Sequence, residues 1–303
     1  MSGSDPRCAL VTGAGRGIGR SIAEGLAAAG YRVYAGVRSE AAATQLAAAS
    51  ARIVPVELDV TRADHVAALD AVLPARLDAL VNNAGIAVPG PVEAVGSEAV
   101  RHQFEVNLFG PLDLTRAMLP RLRGARGRIV FISSVNGRVS FPGSGIYNAS
   151  KFALEGLADC LRVELRPWGI KVLLVEPGVT DTDPWRHMMA VLDETAADLS
   201  PEHRQLYRAH LAGQRAMCQQ LQQRTAPAAG VAEAVRRGLT RRRPGARRLV
   251  GTDAHALVVL KAMLPTRALD ALWARGLGLD QPPTSTVLPR PRSGAARERM
   301  PTG

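Results

Sequence analysis

The chain has 303 residues, 47% of them hydrophobic and 21% charged, enough apolar material for one large domain or two small ones. Its net charge of +11 is uneven: residues 236–303 hold thirteen arginines and Lys261 against Asp253, Asp270, Asp280 and Glu298, a net +10. The basic character therefore belongs to an appendage, not to a nucleic-acid-binding body. Three scattered cysteines (Cys8, Cys160, Cys218) give neither a disulfide framework nor a metal-ligand spacing, and no window of 18 uncharged apolar residues suggests a membrane span. These features predict a reduced, cytoplasmic protein with no bound metal.

Residues 1–6 are polar, carry no signal-peptide pattern and are expected to be disordered. Residues 7–12 read as a buried strand, followed at once by Gly13, Gly15, Gly17 and Gly19 and then a helical run to Ala29. Strand, glycine turn and helix open a dinucleotide-binding unit: Gly13, Gly15, Arg16, Gly17, Ile18 and Gly19 bring backbone N–H groups and a helix N-terminus to a pyrophosphate. A second strand, 32–37, ends in Gly36, Val37, Arg38 and Ser39, with no acid before Glu40 to bind ribose hydroxyls. Arg38, joined by Arg16, suits a 2′-phosphate instead, so NADP is expected over NAD.

Helix 41–50 and strand 53–58 follow, ending at Asp59 and Val60. Asp59 is placed either to accept from an adenine amino group or to cap the helix beginning at Thr61. Strand 78–81 ends in Asn82, Asn83, Ala84 and Gly85, small and polar residues where doubly wound sheets bind ligands. One helix is expected over 97–123. Asn107 lies deep within it, a position that disfavours asparagine unless its amide finds partners.

Strand 128–132 ends at Ser133 and Ser134, and a Gly/Ser/Pro-rich loop delivers the chain to a helix over 147–166. At its head stand Tyr147 and Lys151, four apart and so on one helical face. The cation favours the phenolate, so the Tyr147 pKa is expected to fall and the pair becomes a candidate acid/base centre. Lysine is conspicuous here because 35 of the 38 basic residues are arginine. Strand 170–175 leads to Glu176, Pro177 and Gly178.

Residues 182–224 form a long insertion with Trp185, Met188, Met189, Met217 and several leucines, before a helix near Pro227. A last strand is expected at 248–250, flanked by arginine clusters. The apolar helical stretch 255–279, with Trp273, is expected to dock on the body first, on a partner subunit second and on a membrane surface third. Residues 281–303, rich in Pro, Arg, Ser and Thr, read as a disordered basic tail.

This sequence resembles the short-chain dehydrogenase/reductase family over residues 7–251, through TGxxxGxG at 12–19, NNAG at 82–85, the helix Asn107, Ser134 thirteen residues before Tyr147, Tyr-x-x-x-Lys at 147–151, and Pro177-Gly178. Residues 32–38 and 147–163 look like its hydroxysteroid and retinol dehydrogenase branch. The resemblance implies one doubly wound, Rossmann-like α/β domain over residues 7–280, with a seven-stranded parallel sheet, helices on both faces, a helical substrate lid at about 182–226 and a C-terminal extension. It implies an NADP-dependent interconversion of an alcohol and its ketone or aldehyde on a bulky apolar, steroid-, retinoid- or lipid-like substrate. A homo-oligomer, dimer or tetramer, is expected, with no nucleic-acid partner. Tyr147 would exchange the proton. Lys151 would lower the Tyr147 pKa and hold the nicotinamide ribose. Ser134 would bind the substrate oxygen, and Asn107 a water relaying protons to Lys151. Pro177, Gly178 and Val179 would flank the nicotinamide, with Thr182 near its carboxamide. The rival reading is a non-catalytic NADP-binding regulator on the same fold, which has no need of Ser134, Tyr147 and Lys151 together.

Overall fold

The computed structural model describes residues 6–280, so the expectations for residues 1–5 and 281–303 fall outside it. The chain alternates strand and helix from its start: β1 (Cys8–Val11), α1 (Gly17–Ala28), β2 (Arg32–Val37), α2 (Glu40–Ala49), β3 (Ile53–Glu57), α3 (Ala63–Val72) and β4 (Ala79–Asn82). The region expected to be one helix over 97–123 is two, α4 (Ser97–Phe104) and α5 (Gly110–Ala125), joined by a π-helical turn at Glu105–Phe109. Asn107 is the middle residue of that turn. Its amide is bonded to backbone outside the helix, which favours a local widening over regular α geometry.

Next come β5 (Arg128–Ile132), α6 (Gly145–Glu164) and β6 (Lys171–Pro177). The expected insertion follows, tied at its base by a parallel ribbon of β7 (Thr180–Asp181) and β8 (Ala226–Pro227). Between these lie α7 (Asp183–Arg186), α8 (Met188–Asp198), α9 (Pro201–Leu206) and α10 (Arg208–Gln222). The chain closes with α11 (Ala228–Thr240), β9 (Arg247–Val250), α12 (Thr252–Met263) and α13 (Thr266–Gly276).

Seven strands form one parallel sheet in the order β3-β2-β1-β4-β5-β6-β9. The order turns back at β1, and the crevice beyond β1 and β4 is where such sheets bind ligands. Both faces of the sheet are covered, which is why its central strands β1, β4 and β5 are nearly continuous apolar runs rather than alternating. Ala9 and Val11 pack with Ile22, Leu26, Val231 and Val235 of α1 and α11. Leu10, between them, points the other way, into Leu80, Phe131, Leu114, Met118 and Leu154 with α5 and α6.

The C-terminal hairpin docks on the body, the first-ranked of the three expected surfaces. Phe141, in the loop after β5, meets Trp273 of α13 with ring centroids 4.8 Å apart, and Val135, Val139 and Ala254 are buried beneath them. Among the described residues no helix is long and apolar enough to cross a membrane, and no cluster of His, Cys, Asp and Glu is placed to hold a metal.

Candidate active site

A groove of about 490 Å³ runs along the C-terminal ends of β1, β2, β3 and β4. Gly13, Gly15, Arg16, Gly17, Ile18, Gly19, Arg38, Asp59, Val60, Ala84, Gly85 and Thr182 all line it, together with Gly36, Ser39 and Asn83. Its floor exists because side chains are missing. Gly13 and Gly17 take left-handed φ angles of 61° and 54°. A Cβ on Gly19 would stand 2.2 Å from Gly13 O, so the loop folds onto the start of α1 only with glycine there. Helix α1 then opens toward the groove with Arg16 at its N-cap and no side-chain cap bond, leaving backbone N–H groups for an anion. A glycine cradle of this depth at a helix N-terminus fits the pyrophosphate of a nicotinamide dinucleotide.

The two asparagines at the end of β4 divide their work. Asn82 is buried and donates to Thr115 Oγ1 of α5 at 3.0 Å, so its side chain is committed to the body and does not line the groove. Asn83 donates to Thr12 O at 2.8 Å and Gly13 O at 3.2 Å, while the Thr12 hydroxyl accepts from Asn83 N and Ala84 N, both at 2.9 Å. Asn83 thus knits β4 to the glycine loop. Strand alternation past Asn82 was the signal that could have singled it out.

Asp59 braces a turn at the edge of the groove. Its Oδ1 accepts from Thr61 N and Thr61 Oγ1 at 3.0 and 2.7 Å, while α3 starts later, at Ala63, with Arg62 as its N-cap. Burial alone would raise this carboxyl, but the Thr61 bonds and the charge of Arg38, 3.8 Å away, hold it below its ordinary value.

Three segments bring the expected catalytic groups together: the end of β5, α6 and the π-helical turn. Ser134 follows β5, and its hydroxyl accepts from Asn136 N at 3.2 Å. Asn136 Nδ2 donates to Asn148 Oδ1 at 2.8 Å, and Asn148 Nδ2 to Phe141 O at 2.9 Å. This amide chain locks the Ser134 loop to the residue beside Tyr147. Asn107 is 1% exposed and makes three hydrogen bonds: Oδ1 accepts from Ile86 N, and Nδ2 donates to Ile86 O and Ser150 Oγ. Ser150 in turn donates to Tyr147 O at 2.8 Å. Lys151 Nζ donates to Ile132 O at 2.9 Å and stands 5.8 Å from the centroid of the Tyr147 ring. A Cβ built on Gly85 would lie 3.4 Å from Asn107 Oδ1 and 3.7 Å from Lys151 Nζ, so the groove and α6 meet at that glycine.

The electrostatics correct one expectation. Burial raises the Tyr147 pKa rather than lowering it, and a hydrogen-bonding contact with Ser134 only partly opposes this. Burial also pushes Lys151 down to about 8, with the Glu155 carboxylate pulling the other way. Each charged form loses hydration on burial, and that loss is the largest influence on both groups.

Pro177, Gly178 and Val179 lie beyond the groove lining, and Asp253 of α12 fixes them: its Oδ2 accepts from Val179 N at 2.7 Å. From the insertion, Gln214 of α10 is buried and donates to Gly143 O at 2.8 Å, pinning α10 to the loop before Tyr147. Neither Asp253 nor Gln214 carries a local sequence signal, because each acts on a partner more than 70 positions away.

Comparison with known proteins agrees with this geometry. The family described as short chain dehydrogenase matches residues 7–191. Human retinol dehydrogenase 16 is 35% identical over 278 residues, covering 87% of this chain and 86% of that protein. Bovine 17-beta-hydroxysteroid dehydrogenase type 6 is 35% identical over 279 residues, covering 88% and 87%. A short chain dehydrogenase from Burkholderia cenocepacia, solved in complex with NADP, is 30% identical with a TM-score of 0.68, covering 91% of this chain and 98% of that one.

Proposed function

This chain belongs to the short-chain dehydrogenase family and is an NAD(P)-dependent alcohol dehydrogenase or ketoreductase; from that premise we propose that it uses NADP, acts on a bulky apolar alcohol or carbonyl, and works through Ser134, Tyr147, Lys151 and Asn107. The single observation that carries the residue assignment is the meeting of Lys151 and Asn107 at Gly85, which sets the acid/base helix against the edge of the dinucleotide groove. A bound nicotinamide dinucleotide supplies or accepts the hydride.

The chain's own residues hold, orient and move the proton. Tyr147, whose raised pKa keeps it protonated at neutral pH, gives its proton to the carbonyl oxygen during reduction and takes one back from the alcohol during oxidation. The Lys151 ammonium stabilises the phenolate left behind and donates to the nicotinamide ribose. Ser134 donates to the substrate oxygen, where charge develops. Asn107 holds Ile86 and Ser150 in place, and a proton-relaying water fits the remaining lone pair of its Oδ1. Asn83, Ala84 and Gly85 close the wall beside Gly13, with Asn82 bracing it from the body, while Pro177, Gly178, Val179 and Thr182 serve the nicotinamide end.

Three features support NADP: no acid ends β2, Arg38 stands exposed there, and Arg16 lies in the glycine loop. The relatives named for retinol and hydroxysteroids, and the methionines of the lid, support an apolar substrate. A cytoplasmic homo-oligomer belongs to the same proposal, supported by the scattered placing of the cysteines along the chain and by exposed Phe109, Phe152 and Val163.

The deciding experiment is Tyr147→Phe, assayed with NADPH against steroid, retinoid, fatty and aromatic ketones and aldehydes. Turnover is expected to fall about 10²–10⁴-fold with NADPH affinity nearly unchanged. Retained turnover would refute the assignment.

A further inference from the structure

One helical turn beyond Lys151, on the same face of α6, stands Glu155. It is 5% exposed, and the chemistry above does not use it. Its Oε2 accepts from Arg247 Nε of β9 at 2.9 Å, while its Oε1 is buried with no hydrogen-bond partner among the described residues. The same guanidinium lies 3.2 Å from Glu176 Oε1, fully buried near the end of β6, and donates to Asp159 Oδ2 at 2.7 Å. Arg138, in the loop that carries Ser134, places Nη1 3.3 Å from Glu176 Oε1. Gly137 permits the approach: a Cβ there would stand 2.9 Å from Ser133 Oγ, 3.0 Å from Glu155 Cγ and 3.2 Å from Lys151 O.

The cluster therefore joins α6, the Ser134 loop and the strand leading into Pro177. A buried ion cluster adds little stability over apolar side chains of similar volume, so stability alone is a poor reason for it. Lys151, which has lost its water, does have a use for a nearby negative charge. Tyr147 and Glu155 stand one turn before and one turn after it on α6; Asp159 lies a further turn on, and Glu176 of β6, Arg247 of β9 and Arg138 of the loop after β5 complete the cluster behind Glu155. Of these, Glu155 is the group whose charge acts on Lys151 against burial.

We propose that Glu155 is a positioning residue for the reaction: its carboxylate, aimed by Arg247, keeps Lys151 an ammonium and so keeps Tyr147 competent as acid and base. This rests on the assignment of Tyr147 and Lys151 to the chemistry.

The test compares Glu155→Gln with Asp159→Asn, which touches the same arginine from the exposed side of the cluster. Thermal unfolding of the full chain from about pH 6 to about 10 needs neither substrate nor cofactor. Lys151 titrates near 8 when folded against 10.5 when unfolded, so its contribution to stability rises as pH climbs between those values. In Glu155→Gln that rise is expected to begin about one pH unit lower. The alkaline limb of NADPH-dependent reduction, with all-trans-retinal as the probe, moves by the same amount, and Asp159→Asn moves either curve by less than about 0.3 unit. Unfolding curves of Glu155→Gln and the parent that superimpose in shape, or an equal shift in Asp159→Asn, would overturn the proposal. Should Glu155→Gln not fold, Arg247→Lys takes its place, with a displacement of about half a unit expected and an unmoved curve overturning the role. Full turnover in Tyr147→Phe would remove the underlying assignment itself. An inert Tyr147→Phe beside an unshifted Glu155→Gln removes only the role of Glu155.

Discussion

Two regions meet at Lys151 and are made of different material. The dinucleotide groove is mostly backbone, shaped by glycines within a seven-residue loop and by the ends of neighbouring strands. The ionic cluster on the other side is all side chain, and its Glu155–Arg247 bond spans 92 positions. A wall of backbone fails when an atom is added to it. A cluster of buried charges fails when one is taken away, and it answers to pH as the groove does not.

The largest expected effect tests the cluster. Arg247→Met leaves Glu155 and Glu176 buried without their shared cation, and is expected to cost about 3–5 kcal/mol at pH 8 by urea unfolding. Burial, then Glu155, pushes the Glu176 carboxyl up to about 7 from 4.5. A raised acid contributes its stability fully below the unfolded value and loses it as pH rises through the folded one. The Arg247→Met penalty should therefore shrink near pH 5, where Glu176 is neutral. A pH-independent penalty would make the cluster ordinary packing.

The groove is tested by adding an atom. Gly19→Val drives side-chain atoms into Gly13 O, with about 3 kcal/mol of destabilisation and a loss of NADPH binding expected. Normal NADPH affinity in this variant would break the contrast between the two regions. Next comes the groove's charged rim: replacing Arg16 and Arg38 by serine should weaken NADPH about thirtyfold, ~2 kcal/mol, and leave NADH within about twofold. An equal loss for both cofactors would refute the 2′-phosphate reading. The smallest effect belongs to the insertion proposed as a lid, where Gln214→Ala should remove about 1 kcal/mol and raise KM for a bulky ketone more than it lowers kcat. An unchanged KM would mean that α10 is not held at Gly143.

Local spacing made much of this molecule legible in advance. Apolar runs punctuated by glycine, the four-residue step from Tyr147 to Lys151 and the missing acid after β2 are each contained in a few consecutive residues. They foretold the seven strands, the groove-forming loop and the helix that carries Tyr147 and Lys151, because neighbours in sequence remain neighbours in a strand or helix. Asn107 was legible as an anomaly but not as a π-helical turn, since its partners, Ile86 and Ser150, arrive from other elements. The commitment of Asn82 to the body, the raised pKa of Tyr147, the docking of Trp273 on Phe141 and the convergence of Glu155, Glu176 and Arg247 were decided by tertiary structure alone. Each depends on which side chains lose water together, and residues far apart in the chain acquire a common dielectric environment only when the sheet and its helices have packed.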